Sequence, residues 1–250
     1  MKKLNFGDKI GIISTARKIN LKEIDTAINI FNEWGLKVEF GVNLFKQDNQ
    51  FSGTIEQRTS DLQVMLDDDK INAIICARGG YGTVQIIDNI DFASFVNNPK
   101  WIVGYSDVTV LHSHLNNLDI PTLHASMPIN FNSNTKESIE TLRKTLFGEQ
   151  NYIKSDVNKF NILGQAEGEV VGGNLSILYS LIGSNSDIDT DGKILFIEDL
   201  DEYLYHIDRM MISLKRSGKL ENIKGLIVGG MTNMHDNKVP YGKNAEKIII

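Results

Sequence analysis

The sequence lacks the residues and runs that mark several classes of protein. Its 250 residues include one cysteine, Cys76, so a disulfide framework is excluded. This cysteine lies inside the apolar run 71–77, where we expect a small core residue rather than a reactive thiol. No apolar run approaches membrane-spanning length, and no signal-peptide core follows the N-terminus. We therefore expect a cytoplasmic protein without a membrane partner.

Runs of basic residues and metal-binding motifs are also absent. The net charge of −6, with no cluster of Lys or Arg, argues against a nucleic-acid partner held by electrostatic attraction. No spacing of His and Cys matches a metal motif, so we expect neither a catalytic metal nor a cofactor. With 41% hydrophobic and 23% charged residues, the composition is that of a globular chain with one large or two moderate cores. A small molecule is the expected partner.

Short apolar runs alternate with amphipathic stretches along the first part of the chain. Residues 9–15 and 71–77 have the pattern of buried strands, and residues 21–34 carry apolar side chains at helical spacing before Gly35. Such alternation predicts an α/β fold, with a doubly wound parallel sheet covered by helices on both faces. Ligands of these folds bind at the carboxyl ends of the strands.

The apolar periodicity lapses between residues 148 and 163. We therefore predict an N-terminal α/β domain over 1–148, a linker over 149–163 and a smaller C-terminal α/β domain over 164–250. Residues 244–250 are typical of a capped helix that stops within about two turns. The C-terminal domain is thus expected to be truncated, with exposed apolar surface near its last three isoleucines.

The first candidate for chemistry lies in residues 100–112. A predicted strand ends at Gly104 and runs into a tight turn with Ser106 at its tip, followed by a helix that begins near Asp107. The helix would aim unpaired N–H groups and its positive dipole end at whatever the Ser106 hydroxyl attacks. Val108 stands where the common G-x-S-x-G motif has a second glycine. An ordinary strand-to-helix turn capped by Ser106 or Asp107 is therefore the alternative.

The second candidate is the glycine-rich segment 77–83, which follows a predicted buried strand. Its three glycines would let the backbone approach a ligand closely and turn N–H groups toward an anion. The spacing fits neither a phosphate-binding loop nor a dinucleotide fingerprint. The segment could supply one oxyanion-hole N–H beside that of Asp107, or it could simply allow a helix to pack closely on the sheet.

Two further candidates lie in the second domain. The apolar strand 194–200 delivers Glu198 and Asp199, which face opposite ways, so only one can point into a shared site. That carboxylate could orient a histidine, or it could cap a helix or pair with Arg209. Asn174, after two glycines, could bind a substrate carboxylate or act as a helix cap.

A serine nucleophile needs a base, and the chain has five histidines. His112 and His114 lie too far along the helix after Ser106 to reach back to its hydroxyl. His206 lies on an amphipathic helix, where a packing role is favoured. His124, near a strand end, is the best candidate within the chain, and His235 is a weaker one.

Six segments in order along the chain resemble the L,D-carboxypeptidase family, which includes microcin-immunity relatives. These segments are 7–13, 77–82, 103–109, 172–175, 194–199 and 205–209. Members of this family are serine peptidases with a Ser-Glu-His triad, and they remove the terminal D-alanine from murein tetrapeptide during peptidoglycan recycling. The resemblance implies that Ser106 is the nucleophile and that Glu198 orients the histidine. It also implies an oxyanion hole formed by the N–H groups of Gly80 and Asp107.

The same resemblance implies a small muropeptide substrate, a homodimer and a site between two domains. Gly79, Tyr81 and Asn174 are the expected substrate-binding residues. The family's histidine follows the glycine-rich strand seen here at 229–230, so it is expected beyond Ile250 and this chain is expected to lack its base and to be an inactive fragment. The alternatives are a microcin-immunity-like hydrolase of a peptide-nucleotide and a non-catalytic peptide-binding module.

Overall fold

The computed structural model describes residues 1–250, which form two compact units, Met1–Tyr152 and Ile153–Ile250. No helix or strand lies between residues 147 and 169, a stretch that includes the predicted linker. The N-terminal unit contains, in chain order, β1 Lys9–Ile13, α1 Leu21–Glu33, β2 Lys37–Phe40, α2 Ile55–Asp67, β3 Ile71–Cys76, α3 Ala93–Asn97, β4 Trp101–Gly104, α4 Thr109–Asn116, β5 Leu123–His124 and α5 Lys136–Leu146.

The five strands of the N-terminal unit form one parallel sheet in the order β2-β1-β3-β4-β5. The prediction of a doubly wound parallel sheet is confirmed. β2 pairs with one side of β1, whereas β3, β4 and β5 are added in turn on the other side. In such sheets the connections that follow the two strands at this reversal, β1 and β3, run over opposite faces of the sheet, and a crevice opens at the carboxyl ends of these strands. The segment after β3 is the glycine-rich one.

Helices cover both faces of this sheet. On one face, alternate residues of β1, such as Ile10 and Ile12, belong to a core cluster with Phe31 of α1 and Leu142 of α5. On the other face, Gly11 faces the Met65 side chain of α2 so closely that a Cβ at this position would clash with its sulfur. Cys76 is fully buried, as expected for a core residue.

Side-chain caps fix where the two main helices begin. Asn20 and Glu23 form a capping box at the start of α1, and Thr54 and Gln57 form another at the start of α2. These pairs satisfy amide groups that the first helical turn leaves without partners. The caps thereby set the lengths of the loops that precede both helices.

The C-terminal unit is a smaller α/β layer, as predicted. It contains β6 Val170–Asn174, α6 Leu175–Leu181, β7 Ile194–Leu200, α7 Leu204–Arg216, β8 Gly225–Thr232 and α8 Ala245–Ile249, and the strands form a parallel sheet in the order β6-β7-β8. Its core joins inward residues of β7, such as Leu195 and Ile197, to α6 and α7. None of the chain's helices is long and apolar enough to cross a bilayer.

The exposed apolar surface of this unit lies elsewhere than predicted. Ile248 and Ile249 pack against the core of the unit, and only Ile250 is largely exposed, at 68%. The capped helix start expected here is α8, which turns its apolar side inward. The edge strand β8 instead leaves Ile227 and Val228 partly open to solvent, because it pairs only with β7.

A buried histidine closes the connection between β4 and α4. The Nε2 of His112 lies 2.9 Å from the carbonyl oxygen of Gly104, and since a carbonyl only accepts, Nε2 carries the proton. Burial lowers the pKa of His112 to about 4. The ring is therefore neutral in the folded protein at neutral pH.

Protonation of His112 should make stability depend on pH. Below about pH 6.5 the unfolded chain binds a proton that the folded chain resists down to about pH 4, so stability is lost as the pH falls through this window. We expect His112→Gln to reduce this loss by up to about 1.4 kcal/mol per pH unit. Urea unfolding across the window measures it, with the exposed His235→Gln as control. Equal slopes in wild type and His112→Gln would contradict the prediction.

Candidate active site

Ser106 has a backbone conformation that its residue type rarely adopts. Five non-glycine residues have positive φ, and the four besides Ser106 are of types that tolerate it: Asn49, Asp119, Asp201 and Asn233. Ser106, at φ 61°, is the only one that is neither Asn nor Asp. Strain of this kind costs roughly 1–3 kcal/mol and is concentrated at functional sites. The turn expected at Ser106 is therefore present in a strained form.

The helix after this turn begins later than predicted. Ser106–Val108 form a single 3₁₀ turn, and α4 starts at Thr109 rather than near Asp107. Val108 packs its side chain over Gly104, where a Cβ would lie 2.8 Å from Val108 Cγ2. Gly104, the first glycine of the G-x-S-x-G motif, thus makes room for Val108, which stands where that motif has its second glycine. This packing accounts for the departure from the common sequence.

The glycine-rich loop lies against Ser106. A Cβ on Gly79 would lie 3.0 Å from Ser106 Cβ and 3.1 Å from its Oγ. Gly80 and Gly82 have φ values of +120° and +149°, which side chains rarely adopt. The structure thus places the loop after β3 directly beside the serine turn after β4. Two segments that are separate in the sequence form one small surface.

Asp107 connects these two segments through its side chain. Its Oδ2 accepts a hydrogen bond of 2.8 Å from the backbone N–H of Thr83, and the residue is 1% exposed. Burial raises the pKa of Asp107, and the hydrogen bonds from Thr83 and the charge of Arg58 oppose that rise. The sequence suggested a role for the backbone N–H of Asp107 but gave no signal for this carboxylate contact across 24 residues.

Arg58 is a residue of this region that sequence reasoning missed. It lies on α2 and is 2% exposed, although arginine is rarely fully buried. The available signal was positional, since Arg58 precedes Leu62 and Met65 at helical spacing and so occupies the apolar face of the helix. A charged residue at a core position indicates a specific partner.

Tyr81 and Arg17 flank the loop on its exposed side. Tyr81 is 49% exposed, and its ring centroid lies 6.3 Å from that of Phe51. The aliphatic part of Arg17 lies over Gly80, where a Cβ would come within 2.6 Å of it. An aromatic ring and a cation therefore border the surface beside Ser106.

His124, the best base candidate within the chain, lies beside the turn in the sheet. It pairs with Gly104 across β4 and β5, and its ring centroid lies 6.0 Å from that of Tyr105 and 6.0 Å from that of His112. Burial, with a contribution from His112, lowers its pKa to about 3. General bases work best with a pKa near the working pH, so this environment makes His124 a weak base.

The other histidines have structural partners. The ring of His114 lies 5.0 Å from that of Phe92. His206 Nδ1 lies 2.6 Å from Glu202 Oε2, and His235 Nε2 lies 2.6 Å from Asp201 Oδ1. The structure contains no group of three or more His, Cys, Asp or Glu side chains that could hold a metal ion.

In the C-terminal unit, Asp199 caps a helix, which is one of the roles that the sequence predicted for the adjacent carboxylates Glu198 and Asp199. It is buried, and it accepts hydrogen bonds from Ser176 N at the start of α6 and from Asn174 Nδ2. The guanidinium of Arg209, the alternative partner, lies over the Tyr205 ring, 5.3 Å from its centre. Asp199 is therefore a structural residue.

Glu198 lies on the opposite face of β7, beside Asn174 of β6 in the register. Burial raises the pKa of Glu198, and the nearby charge of Asp199 raises it further, to about 7. Asn174 Oδ1 accepts from Ile177 N and so caps α6. The structure thus groups Glu198 and Asn174 in one unit, and Ser106, Asp107, Gly79 and Gly80 in the other.

Comparison with known families and structures confirms the resemblance. The profile of the LD-carboxypeptidase N-terminal domain matches residues 10–125, and that of the LD-carboxypeptidase C-terminal domain matches residues 167–249. A relative from Bacillus subtilis, described as a probable murein peptide carboxypeptidase, is 40% identical over 99% of this chain and 80% of its own length.

Solved structures agree with this result. A muramoyltetrapeptide carboxypeptidase from Oxalobacter formigenes superposes with a TM-score of 0.84 at 25% identity, covering 96% of this chain and 82% of its own. The microcin C7 self immunity protein has a TM-score of 0.85 at 22% identity, covering 99% and 84%, and so shares the fold. The family profiles and the Bacillus relative establish that this chain belongs to the LD-carboxypeptidase family.

Proposed function

We propose that the chain is a serine L,D-carboxypeptidase that hydrolyses the bond to the terminal D-alanine of murein tetrapeptide. The observation that carries this proposal is the strained Ser106 in contact with the glycine-rich loop at the carboxyl ends of β3 and β4. The substrate follows from the relatives, one described as a probable murein peptide carboxypeptidase and another as a muramoyltetrapeptide carboxypeptidase.

The proposed reaction proceeds through an acyl-enzyme. Ser106 Oγ attacks the carbonyl carbon before D-alanine, and its proton passes through a histidine base to the departing amine. The backbone N–H groups of Gly80 and Asp107 stabilise the negative charge that develops on the carbonyl oxygen. Water then attacks the ester and gives the free tripeptide and the original serine. Gly79, Tyr81 and Asn174 are proposed to contact the peptide.

Glu198 is proposed to orient the histidine. As a carboxylate it would accept a hydrogen bond from the imidazole and stabilise the cation formed during attack. The histidine itself is expected beyond Ile250, and this remains a prediction, as do the homodimer and the cytoplasmic location. The weakly basic environment of His124 is consistent with a base outside this chain.

The first experiment measures D-alanine release from murein tetrapeptide by mass spectrometry, with Ser106→Ala as control. In the form that releases D-alanine, whether the chain itself or its extended version, we expect release to fall by at least about 10³-fold in Ser106→Ala, because loss of a nucleophile removes the covalent step. If the chain itself is silent, fusing to Ile250 the residues that follow the matched region in the Bacillus subtilis relative should produce activity. Tryptophan fluorescence changes with tetrapeptide, without release by either form, would support the binding module instead.

Gly79→Ala tests whether the loop must remain in contact with the nucleophile. The added methyl group would lie 3.0–3.1 Å from the Ser106 side chain and would push it aside by a few tenths of an ångström. Since a displacement of about 1 Å can cost about 10²-fold in rate, we expect this smaller shift to lower the rate by up to about tenfold without unfolding the protein. Labelling of Ser106 by a fluorophosphonate measures the effect, and Gly164→Ala, which has open space around it, is the matched control. Undiminished labelling in Gly79→Ala would contradict the contact.

Glu198→Gln tests the environment of the proposed orienting residue without requiring turnover. Because the folded-state pKa is raised from 4.5 to about 7, the stability that Glu198 contributes is present below pH 4.5 and is lost as the pH rises through 7. We expect Glu198→Gln to be more stable than wild type by about 1–2 kcal/mol at pH 8, allowing for partial solvent screening, and to lose this advantage near pH 4.5. Urea unfolding at both pH values measures the difference. Glu221→Gln, at an exposed position, is the matched control, and an equal gain in both variants at pH 8 would contradict the prediction.

A further inference from the structure

A buried arginine connects three segments around the candidate active site. Arg58 Nη1 donates hydrogen bonds to the carbonyl oxygens of Thr15, 2.8 Å away, and Gly82, 2.9 Å away. Its Nη2 donates to Gln85 Oε1 at 2.8 Å. One guanidinium group therefore holds the end of β1, the glycine-rich loop and the segment that follows the loop.

An aromatic ring and the loop backbone pack against the Arg58 guanidinium. Its central carbon lies 4.8 Å from the centre of the Phe51 ring. A Cβ on Gly82 would lie 2.6 Å from Nη1 and 3.0 Å from the Cα of Ala16. The loop backbone thus passes between β1 and the arginine with no room for a side chain.

The same loop is held from its other side by Asp107. Thr83, which follows Gly82, donates its N–H to the Asp107 carboxylate, and its hydroxyl lies 2.7 Å from that of Thr15. Arg58 and Asp107 are both buried, and their opposite charges partly offset the cost of removing each from water. Arg58 and Asp107 therefore bind the carbonyl oxygen and the N–H of the same peptide group, which joins Gly82 to Thr83.

We propose that Arg58 is a positioning residue for the oxyanion hole, holding the glycine-rich loop against the Asp107 carboxylate so that the N–H groups of Gly80 and Asp107 keep a fixed separation. This inference rests on the proposed function of those N–H groups. Asp107 supplies one donor from its backbone and holds the segment of the other with its side chain. Arg58 prevents the loop from moving away from that carboxylate.

Lysine cannot replace Arg58 in this role. The guanidinium is a planar fork that reaches two carbonyls and an amide oxygen at once, whereas an ammonium is a point charge on a flexible stem. Arg58→Lys therefore keeps the charge and loses the geometry. We expect kcat for D-alanine release to fall about 10²-fold, comparable to loss of one oxyanion donor, with KM within about threefold of wild type.

Lys100→Met provides the matched control. Lys100 is also a buried cation that contacts α2. Its Nζ donates to the carbonyl oxygens of Met65 and Asp68 at the end of that helix. Removing it should lower the thermal midpoint without changing kcat, so a general loss of stability is distinguished from a loss of positioning. An equal fall in kcat in both variants would overturn the inference.

Amide hydrogen exchange tests the coupling without turnover. In Arg58→Lys we expect faster exchange at Thr83, whose N–H binds Asp107, and at Val108 in the serine turn, with both rates rising by a similar factor. Faster exchange at Thr83 with an unchanged rate at Val108 would show that the two segments move independently and would overturn the inference. If Ser106→Ala retains full activity, the proposed function fails, whereas the exchange result still decides whether Arg58 couples the segments.

Discussion

The hydrogen bond from the Thr83 N–H to the Asp107 carboxylate holds the N-terminal candidate site together. It joins the loop after β3 to the turn after β4, and every other contact at this surface depends on those two segments staying in register. Gly79 reaches Ser106 only because the loop is held there. The parallel sheet supplies the approximate placement, since neighbouring strands end at the same edge. The buried hydrogen bond then fixes the loop against the serine turn.

Burial of charge is the cost of this arrangement. Asp107 and Arg58 are both removed from water, and each is retained because backbone groups and the opposite charge compensate for the lost hydration. Glu198 is also removed from water and lies beside Asp199, and burial together with that charge raises its pKa to about 7. The two units thus differ in how their buried carboxyl groups are held, with Asp107 bound to a backbone N–H and to a nearby cation and Glu198 beside a second carboxylate.

Much of this organisation could be predicted from the sequence. Apolar periodicity sufficed for the parallel sheet and for the position of Ser106 at the end of a strand, because both follow from local patterns. The start of α4 was predicted about two residues too early, because a 3₁₀ turn at Ser106–Val108 precedes the helix and apolar periodicity does not distinguish the two. Arg58 was missed for a related reason. Its partners are carbonyl oxygens at Thr15 and Gly82, and backbone acceptors leave no mark in a sequence.

The positive φ of Ser106 also has an evolutionary consequence. Glycine adopts this conformation freely, so selection for folding stability alone would favour glycine at this position. Serine and glycine codons can differ by a single base, which makes that change readily accessible. Descendants of such a protein that no longer needed the hydroxyl would therefore tend to drift toward glycine here. A serine at position 106 is therefore a residue that selection for stability alone would not favour.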